Sequence, residues 1–79
     1  MTEQAVFTRL TNVFRDVFDD DGIQLSRETT AADIEDWDSL EHINLMAAVE
    51  SEFGIRLSMG EVSTMKNVGE LVDIIAARA

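Results

Sequence analysis

The start of a helix is encoded in residues 36–43, which read Asp36-Trp37-Asp38-Ser39-Leu40-Glu41-His42-Ile43. Asp38 is a favourable N-cap residue, and Glu41 three positions later completes a capping box. Ser39 is then the first residue of the helix, with its hydroxyl at the positive end of the helix dipole. An anion attached to that hydroxyl is stabilised by the free backbone N–H groups of the first turn. We therefore interpret Ser39 as an attachment point, not as a nucleophile with a base behind it.

The chain is short and strongly acidic. Its 79 residues carry a net charge of -10, and ten of the sixteen acids lie between Asp19 and Glu50, where Arg27 is the only base. This charge argues against binding to nucleic acids or acidic membranes and favours partners with basic docking patches. There is no cysteine, so neither a disulfide framework nor a thiolate metal site is predicted. No signal peptide or membrane-spanning stretch is seen, so we expect one cytoplasmic domain, residues 1–79.

Hydrophobic periodicity predicts an all-α fold, because no segment alternates with a period of two between turn signals. The predicted helices run from about Glu3 to Phe18, from Ser39 to Phe53, from Met59 to Ser63 and from Val68 to Arg78. Thr2, Ser58 and Asn67 are the predicted N-cap residues of the other three helices, the last two with capping-box spacing. A long first loop and short later connections suit a small antiparallel four-helix bundle with three longer helices and one short helix.

Glycine is expected to end the first two helices. Gly54 follows the second helix directly, and Gly22 closes the run Asp19-Asp20-Asp21-Gly22, where a left-handed C-terminal position favours glycine. The connection from Gly22 to Trp37 is long for a compact domain, and such loops are often functional. We expect its isolated apolar residues to pin it to the core; they are Ile23, Leu25, Ile34 and Trp37.

The second helix has two apolar faces. At about 100° per residue, one sector holds Leu45, Met46, Val49 and Phe53, with His42 at its near end. Leu40, Ile43 and Ala47 lie on nearly the opposite side, flanked by Asn44, Glu50 and Ser51, and Ser39 lies at the border of this second patch. One interpretation is that the long loop or the short helix covers Leu40 and Ile43, which are then core residues. The other is that the patch faces a partner and is rimmed by acids.

Catalytic and metal-binding patterns are weak. His42 lies three residues after Ser39, but a Ser-His pair needs an orienting group and an oxyanion hole, so we interpret His42 as a half-buried packing residue. The run Asp19-Asp20-Asp21-Gly22 with Glu28 aligns to an EF-hand loop, although Val17 occupies the first ligand position. We therefore expect no specific metal site and interpret these acids as a solvated helix end.

Two further stretches support a family resemblance. Asp38-Ser39-Leu40, followed by a helix that ends Val49-Glu50-Ser51-Glu52-Phe53-Gly54, closely resembles the acyl carrier protein family. The resemblance covers essentially the whole chain, including its length, its acidity, the long first loop and the start of the last helix at Val68-Gly69-Glu70-Leu71-Val72.

The resemblance implies a non-catalytic, monomeric carrier. A phosphopantetheinyl transferase would move 4'-phosphopantetheine from coenzyme A to Ser39, flanked by Asp38 and Leu40. The arm's thiol would then carry acyl intermediates as thioesters between acyl-loading and acyl-processing enzymes. Leu40, Ile43 and Ala47 would contact these partners, while Asp38, Glu41 and Glu50 would pair with their basic residues.

Several positions differ from those of carriers in general fatty-acid synthesis. Trp37 occupies a position that is usually small, and Asn44 and Ser51 stand where acids are common. These differences indicate a specialised freestanding carrier that serves a dedicated pathway. Two alternatives stay open at this point: an aminoacyl or peptidyl carrier, and an acidic interaction module that never receives a prosthetic group.

Overall fold

Four α-helices and one short 3-10 turn make up the fold. The computed structural model describes all residues, Met1–Ala79, and contains no β-strand. The helices are α1 (Glu3–Phe18), α2 (Ser39–Phe53), α3 (Met59–Thr64) and α4 (Val68–Arg78), and the 3-10 turn covers Ala31–Asp33. The predicted all-α fold and its four helices are confirmed, and α3 ends one residue later than predicted. None of the helices combines the length and the apolar character needed to cross a membrane.

Side-chain caps explain why the helices begin where they do. The hydroxyl of Thr2 accepts a hydrogen bond from the first turn of α1 at 3.2 Å. Ser58 and Glu61 form the predicted reciprocal capping box at the start of α3. Asn67 caps α4 by accepting from Glu70 N–H at 3.0 Å. The Glu70 carboxylate bonds the N–H of the residue before Asn67, so the second predicted box is incomplete.

α1 ends at Phe18 as predicted, but the left-handed residue that follows it is not the predicted glycine. Asp19, not Gly22, takes the left-handed conformation, with φ 50° and ψ 49°, and its N–H bonds the carbonyl of Arg15. Aspartate tolerates this region better than most residues because its short polar side chain bonds locally. Gly22 instead donates its N–H to the carboxylate of Asp20 at 2.9 Å, within the loop. Gly54 does end α2 as predicted, with φ 64°.

One core lies between the helices. It contains fifteen buried apolar side chains: Val6, Leu10, Val13, Phe14, Ile23, Trp37, Leu45, Met46, Val49, Phe53, Ile55, Val68, Leu71, Val72 and Ile75. All four residues of the predicted core face of α2 are among them. Trp37 joins this core from the loop, with its ring edge-on to Phe14 at a centroid distance of 5.3 Å. The predicted pinning of the loop is confirmed, since Ile23 is also buried and Leu25 and Ile34 pack against the core.

The long loop also crosses the start of α4. The carbonyl of Thr29 accepts from Val68 N–H at 2.8 Å, and the carbonyl of Arg27 accepts from Gly69 N–H at 2.9 Å. These bonds satisfy two N–H groups that a helix leaves free at its first turn. A Cβ on residue 69 would lie 2.9 Å from the Arg27 carbonyl oxygen, so the close approach requires glycine. The middle of the loop is thereby fixed to α4, and its end is held in the core by Trp37, two residues before Ser39.

Candidate functional site

Ser39 is the first residue of α2, and it is exposed. Asp38 Oδ1 accepts a hydrogen bond from Glu41 N–H at 2.9 Å, which confirms Asp38 as the N-cap. The second half of the predicted capping box is wrong, because the Glu41 carboxylate accepts from the side-chain amide of Asn44 at 3.2 Å. The N–H of Asp38 is already bonded to the carbonyl of Asp36 at 3.0 Å. Asp38 alone therefore fixes the start of the helix.

The first turn of α2 keeps unpaired donors beside the serine. The N–H groups of Ser39 and Leu40 donate no hydrogen bond in the structure. Together with the helix dipole, such groups stabilise an anion at this end of the helix. The geometry suits a serine whose oxygen carries a negatively charged group.

His42 does not act as a base for Ser39. Its Nδ1 accepts a hydrogen bond from Trp37 Nε1–H at 3.0 Å, and its Nε2 lies 3.1 Å from the carbonyl oxygen of Val62. Because an indole N–H only donates, Nδ1 accepts and Nε2–H donates to Val62. The imidazole also stacks on the indole with an interplanar angle of 22°. The predicted packing role of His42 is confirmed, and it connects the loop before Ser39 with α3.

The second apolar face of α2 is open to solvent. The side chains of Leu40 and Ile43 are 66% and 62% exposed, and Ala47 is exposed as well. The interpretation that the loop or the short helix covers Leu40 and Ile43 is therefore wrong. Met59 at the start of α3 is 77% exposed and is a further apolar residue that the sequence did not single out. Met59 lies three residues before Val62, and this spacing places both side chains on the same face of a helix. Because Val62 packs against the core, the sequence pattern does not indicate that Met59 is exposed.

The predicted partner-binding acids differ in their surroundings. Asp38 is exposed, whereas Glu41 and Glu50 are half-buried. Glu50 Oε2 accepts from Leu57 N–H at 2.8 Å, so this carboxylate also orders the connection between α2 and α3. That bond joins residues seven positions apart and could not be read from helical spacing.

An ion pair fastens α3 to the end of α4. The carboxylate of Glu61 pairs with the guanidinium of Arg78, which also donates to the carbonyl of Arg56 at 2.8 Å. Hydrogen bonding from Arg78 lowers the pKa of Glu61 to about 2, with a further contribution from the backbone N–H of Ser58. A second pair joins Arg27 in the loop to Asp73 in α4, and hydrogen bonding from Arg27 lowers the pKa of Asp73.

The acidic end of α1 does not assemble ligands. The structure contains no group of three or more His, Cys, Asp or Glu side chains that could hold a metal ion. Asp19 forms the left-handed end of α1, and Asp20 caps the N–H of Gly22. These two acids therefore have local backbone roles in the structure.

Comparisons with known proteins agree with this geometry. The family model for the phosphopantetheine attachment site matches residues 8–75. The acyl carrier protein of Acidothermus cellulolyticus is 30% identical over 76 residues, which cover 96% of this chain and 90% of that protein. The acyl carrier protein of Picosynechococcus sp. is 33% identical over 75 residues, which cover 95% of this chain and 93% of that protein.

A solved structure extends the similarity to three dimensions. The solution NMR structure of a holo acyl carrier protein from Geobacter metallireducens matches with a TM-score of 0.87 and 46% sequence identity. The match covers 92% of this chain and 84% of that chain. The chain therefore belongs to the acyl carrier protein family, whose members are carriers, not enzymes, and use a 4'-phosphopantetheine prosthetic group.

Proposed function

We propose that Ser39 is the residue that carries the 4'-phosphopantetheine arm, and that residues 1–79 act as one carrier domain. The observation that supports this most directly is an exposed serine at the start of α2, next to two unpaired backbone N–H groups. The relatives are acyl carrier proteins, which favours acyl cargo over the aminoacyl alternative. The other alternative, an acidic interaction module that never receives the arm, is not favoured either, because the matching family model is that of the phosphopantetheine attachment site.

The residues around Ser39 fit such a group. The linking phosphodiester is an anion, and the N–H groups of Ser39 and Leu40 are available to it. When bound, the arm supplies a thiol that holds an acyl group as a thioester, chemistry that a chain without cysteine lacks. Asp38 fixes the helix start, and both ring nitrogens of His42 are engaged elsewhere. Activation of the serine therefore falls to the phosphopantetheinyl transferase.

The docking surface in this proposal is the exposed face of α2. Leu40, Ile43 and Ala47 supply apolar contact, while Asp38 and the partly exposed Glu41 and Glu50 attract basic residues of the transferase and of acyl-processing enzymes. Apolar contacts at the centre and charges at the rim give modest affinity and fast, salt-dependent association. This suits a monomeric shuttle in the cytoplasm that meets several enzymes in turn, without binding nucleic acid or inserting into a membrane.

Two exposed residues of α2 support the proposal that this carrier serves a dedicated pathway. Asn44 and Ser51 are exposed and uncharged, so the docking face carries fewer negative charges than the acids common there would provide. Partners of this chain would then rely more on apolar contact with Leu40 and Ile43.

Modification can be tested with the purified apo protein. Incubation with coenzyme A and a broad-range phosphopantetheinyl transferase should raise the intact mass by one 4'-phosphopantetheinyl group. Ser39→Ala should abolish the gain, whereas Ser51→Ala, at another exposed serine of α2, should retain it. A wild-type protein that stays unmodified while a control carrier is modified would overturn the proposal.

The docking face can be tested with a matched pair of variants. Ile43→Glu and Asn12→Glu each place one negative charge at an exposed helical position, in α2 and α1 respectively. Neither should change the free energy of unfolding by more than about 0.5 kcal/mol. Ile43→Glu should slow modification by about tenfold or more, the effect of an interface contact worth about 1.4 kcal/mol, and Asn12→Glu should not. Equal rates for the two variants would remove Ile43 from the interface.

A further inference from the structure

A groove separates α1 from α2 beside the exposed face of α2. Its volume is about 330 Å³, at the small end of the range for ligand pockets, which suits a single side chain. The floor is apolar, because Val13 is buried and the half-buried Val17 and Ala48 pack against the core. The rim is polar and consists of Arg9, Asp16, Ser51 and Glu52.

Ser51 joins this groove to the proposed docking face. It follows Ala47 by four residues, a spacing that puts both side chains on one face of the helix, and both are exposed. Because Ser51 is short, it leaves the groove open on that side, as an alanine would. Ile43 lies about 12 Å away along the helix axis, well within the footprint of a protein partner. An enzyme that covers Ile43 therefore also covers the groove.

The two ends of the groove differ in charge. Arg9 is already paired, because its Nε donates to Glu52 Oε2 at 2.8 Å. Asp16, about two turns further along α1, is exposed, and its carboxylate has no hydrogen bond or ion pair in the structure. The neighbouring Arg15 donates instead to the carbonyl of Ile23, at 3.0 Å. The groove therefore combines an apolar floor with one unpaired negative charge.

An arginine side chain fits this combination. Its aliphatic stem can cover apolar surface while its charged head stays at the edge of the solvent. The planar guanidinium bonds both oxygens of a carboxylate, a geometry that the ammonium group of a lysine does not match. The net charge of -10 attracts such a cation from a distance. Charge and shape therefore both indicate a basic occupant with a long stem.

We propose that the groove between α1 and α2 is a docking site for an arginine side chain of the phosphopantetheinyl transferase. This inference rests on the docking of that enzyme at α2 proposed above. The stem of the arginine packs on Val13, Val17 and Ala48, and its guanidinium pairs with Asp16. Because Asp16 lies on α1, the groove gives the enzyme a second anchor apart from the apolar contact at Ile43. Two anchors fix the rotation of the enzyme over the start of α2, where the serine hydroxyl meets coenzyme A.

The charge of the groove is tested by the rate of modification with coenzyme A and a broad-range transferase at low ionic strength. Asp16→Asn and Asp21→Asn each remove one exposed negative charge, and only Asp16 lines the groove. Asp16→Asn should lower kcat/KM about fivefold, mainly through KM, which is the upper range for an exposed ion pair. Asp21→Asn should change it less than about 1.5-fold. Equal effects of the two variants would overturn the inference, because net charge alone would then explain them.

The space in the groove is tested by a second pair of variants. Ser51→Leu fills the groove without a change of charge and should also raise KM, whereas Ser51→Ala leaves the groove open and should not. Both changes are at an exposed position, and far-UV circular dichroism should show that both variants are folded. An unchanged KM in a folded Ser51→Leu would overturn the inference.

The identity of the occupant is tested by NMR titration of the apo protein. N-acetyl-arginine amide should shift the methyl resonances of Val13, Val17 and Ala48, and the neutral N-acetyl-citrulline amide, which has nearly the same shape, should not. Equal shifts from the two compounds, or none at these methyl groups, would overturn the assignment to arginine. Wild-type rates in Asp16→Asn and Ser51→Leu beside a slow Ile43→Glu would refute the groove and leave docking at α2 intact. A wild-type protein that is never modified would refute both proposals together.

Discussion

The hydrogen-bonded chain from Trp37 through His42 to Val62 predicts a large effect for one substitution. His42→Ala removes an imidazole that accepts from the indole N–H and donates to the Val62 carbonyl. Trp37 is only 9% exposed, so its N–H cannot readily turn to water. Leaving a buried donor without a partner costs about 1–3 kcal/mol. The total stability of a domain this size is about 4–12 kcal/mol, so the loss is a substantial fraction of it.

Unfolding measured by far-UV circular dichroism, in urea and with temperature, gives the comparison. A loss of about 2 kcal/mol corresponds to a fall in Tm of roughly 8–16 °C for a domain this small. Ser51→Ala, at an exposed position of the same helix, serves as the control and should stay within about 0.5 kcal/mol of the wild type.

A double-mutant cycle isolates the cause. In a Trp37→Phe background there is no indole N–H to strand, so His42→Ala should cost less there, by about 1 kcal/mol. A cost of His42→Ala under about 0.5 kcal/mol, or the same cost in both backgrounds, would show that the hydrogen bond from Trp37 to His42 does not stabilise the fold.

Substitutions at four further positions test other parts of the fold. Gly69→Ala should destabilise the protein by about 1–3 kcal/mol, because the new Cβ would lie 2.9 Å from the backbone carbonyl oxygen of Arg27. Gly60→Ala has open space around it and should stabilise α3 by up to about 1 kcal/mol. If urea unfolding shows Gly60→Ala to be the more destabilising of the two, the close approach at Gly69 is contradicted. Asp38→Ala should lower the free energy of unfolding by about 1 kcal/mol, because α2 loses its N-cap. Asp38→Asn keeps a capping oxygen and should retain most of that free energy. Equal losses in the two variants would show that the cap does not stabilise α2. Because the pKa of Glu61 is lowered from 4.5 to about 2 in the folded state, its contribution is complete above about pH 4.5 and is lost as the pH falls toward 2. Glu61→Gln should therefore flatten the loss of stability over that pH interval in acid unfolding curves, and an unchanged curve would mean that the pair with Arg78 contributes nothing in solution.

Helix boundaries were predictable because they depend on neighbours in the sequence. Caps at Thr2, Asp38, Ser58 and Asn67 act over three residues, and the structure confirms each of them. The left-handed residue after α1 was predicted wrongly, since glycine is the general preference for that position while Asp19 already takes it three residues before Gly22.

The features that sequence reasoning missed join distant parts of the chain. Gly69 meets Arg27 across 42 positions, and His42 bonds Val62 across 20. No periodicity reports such contacts, because they depend on how the loop and α3 pack after the helices form. The helical wheel identified Leu40 and Ile43 as a second apolar face, but only the three-dimensional arrangement decides that nothing covers them.

In our proposal, the hydroxyl of Ser39 is the point of attachment of the prosthetic arm. The most direct measurement is tandem mass spectrometry of peptides from the protein purified out of its own cells. We expect a 4'-phosphopantetheinyl group on the peptide that contains Ser39, localised to that residue. The same group found on another serine, or a native protein that bears none while other carriers in the same cells are modified, would contradict it.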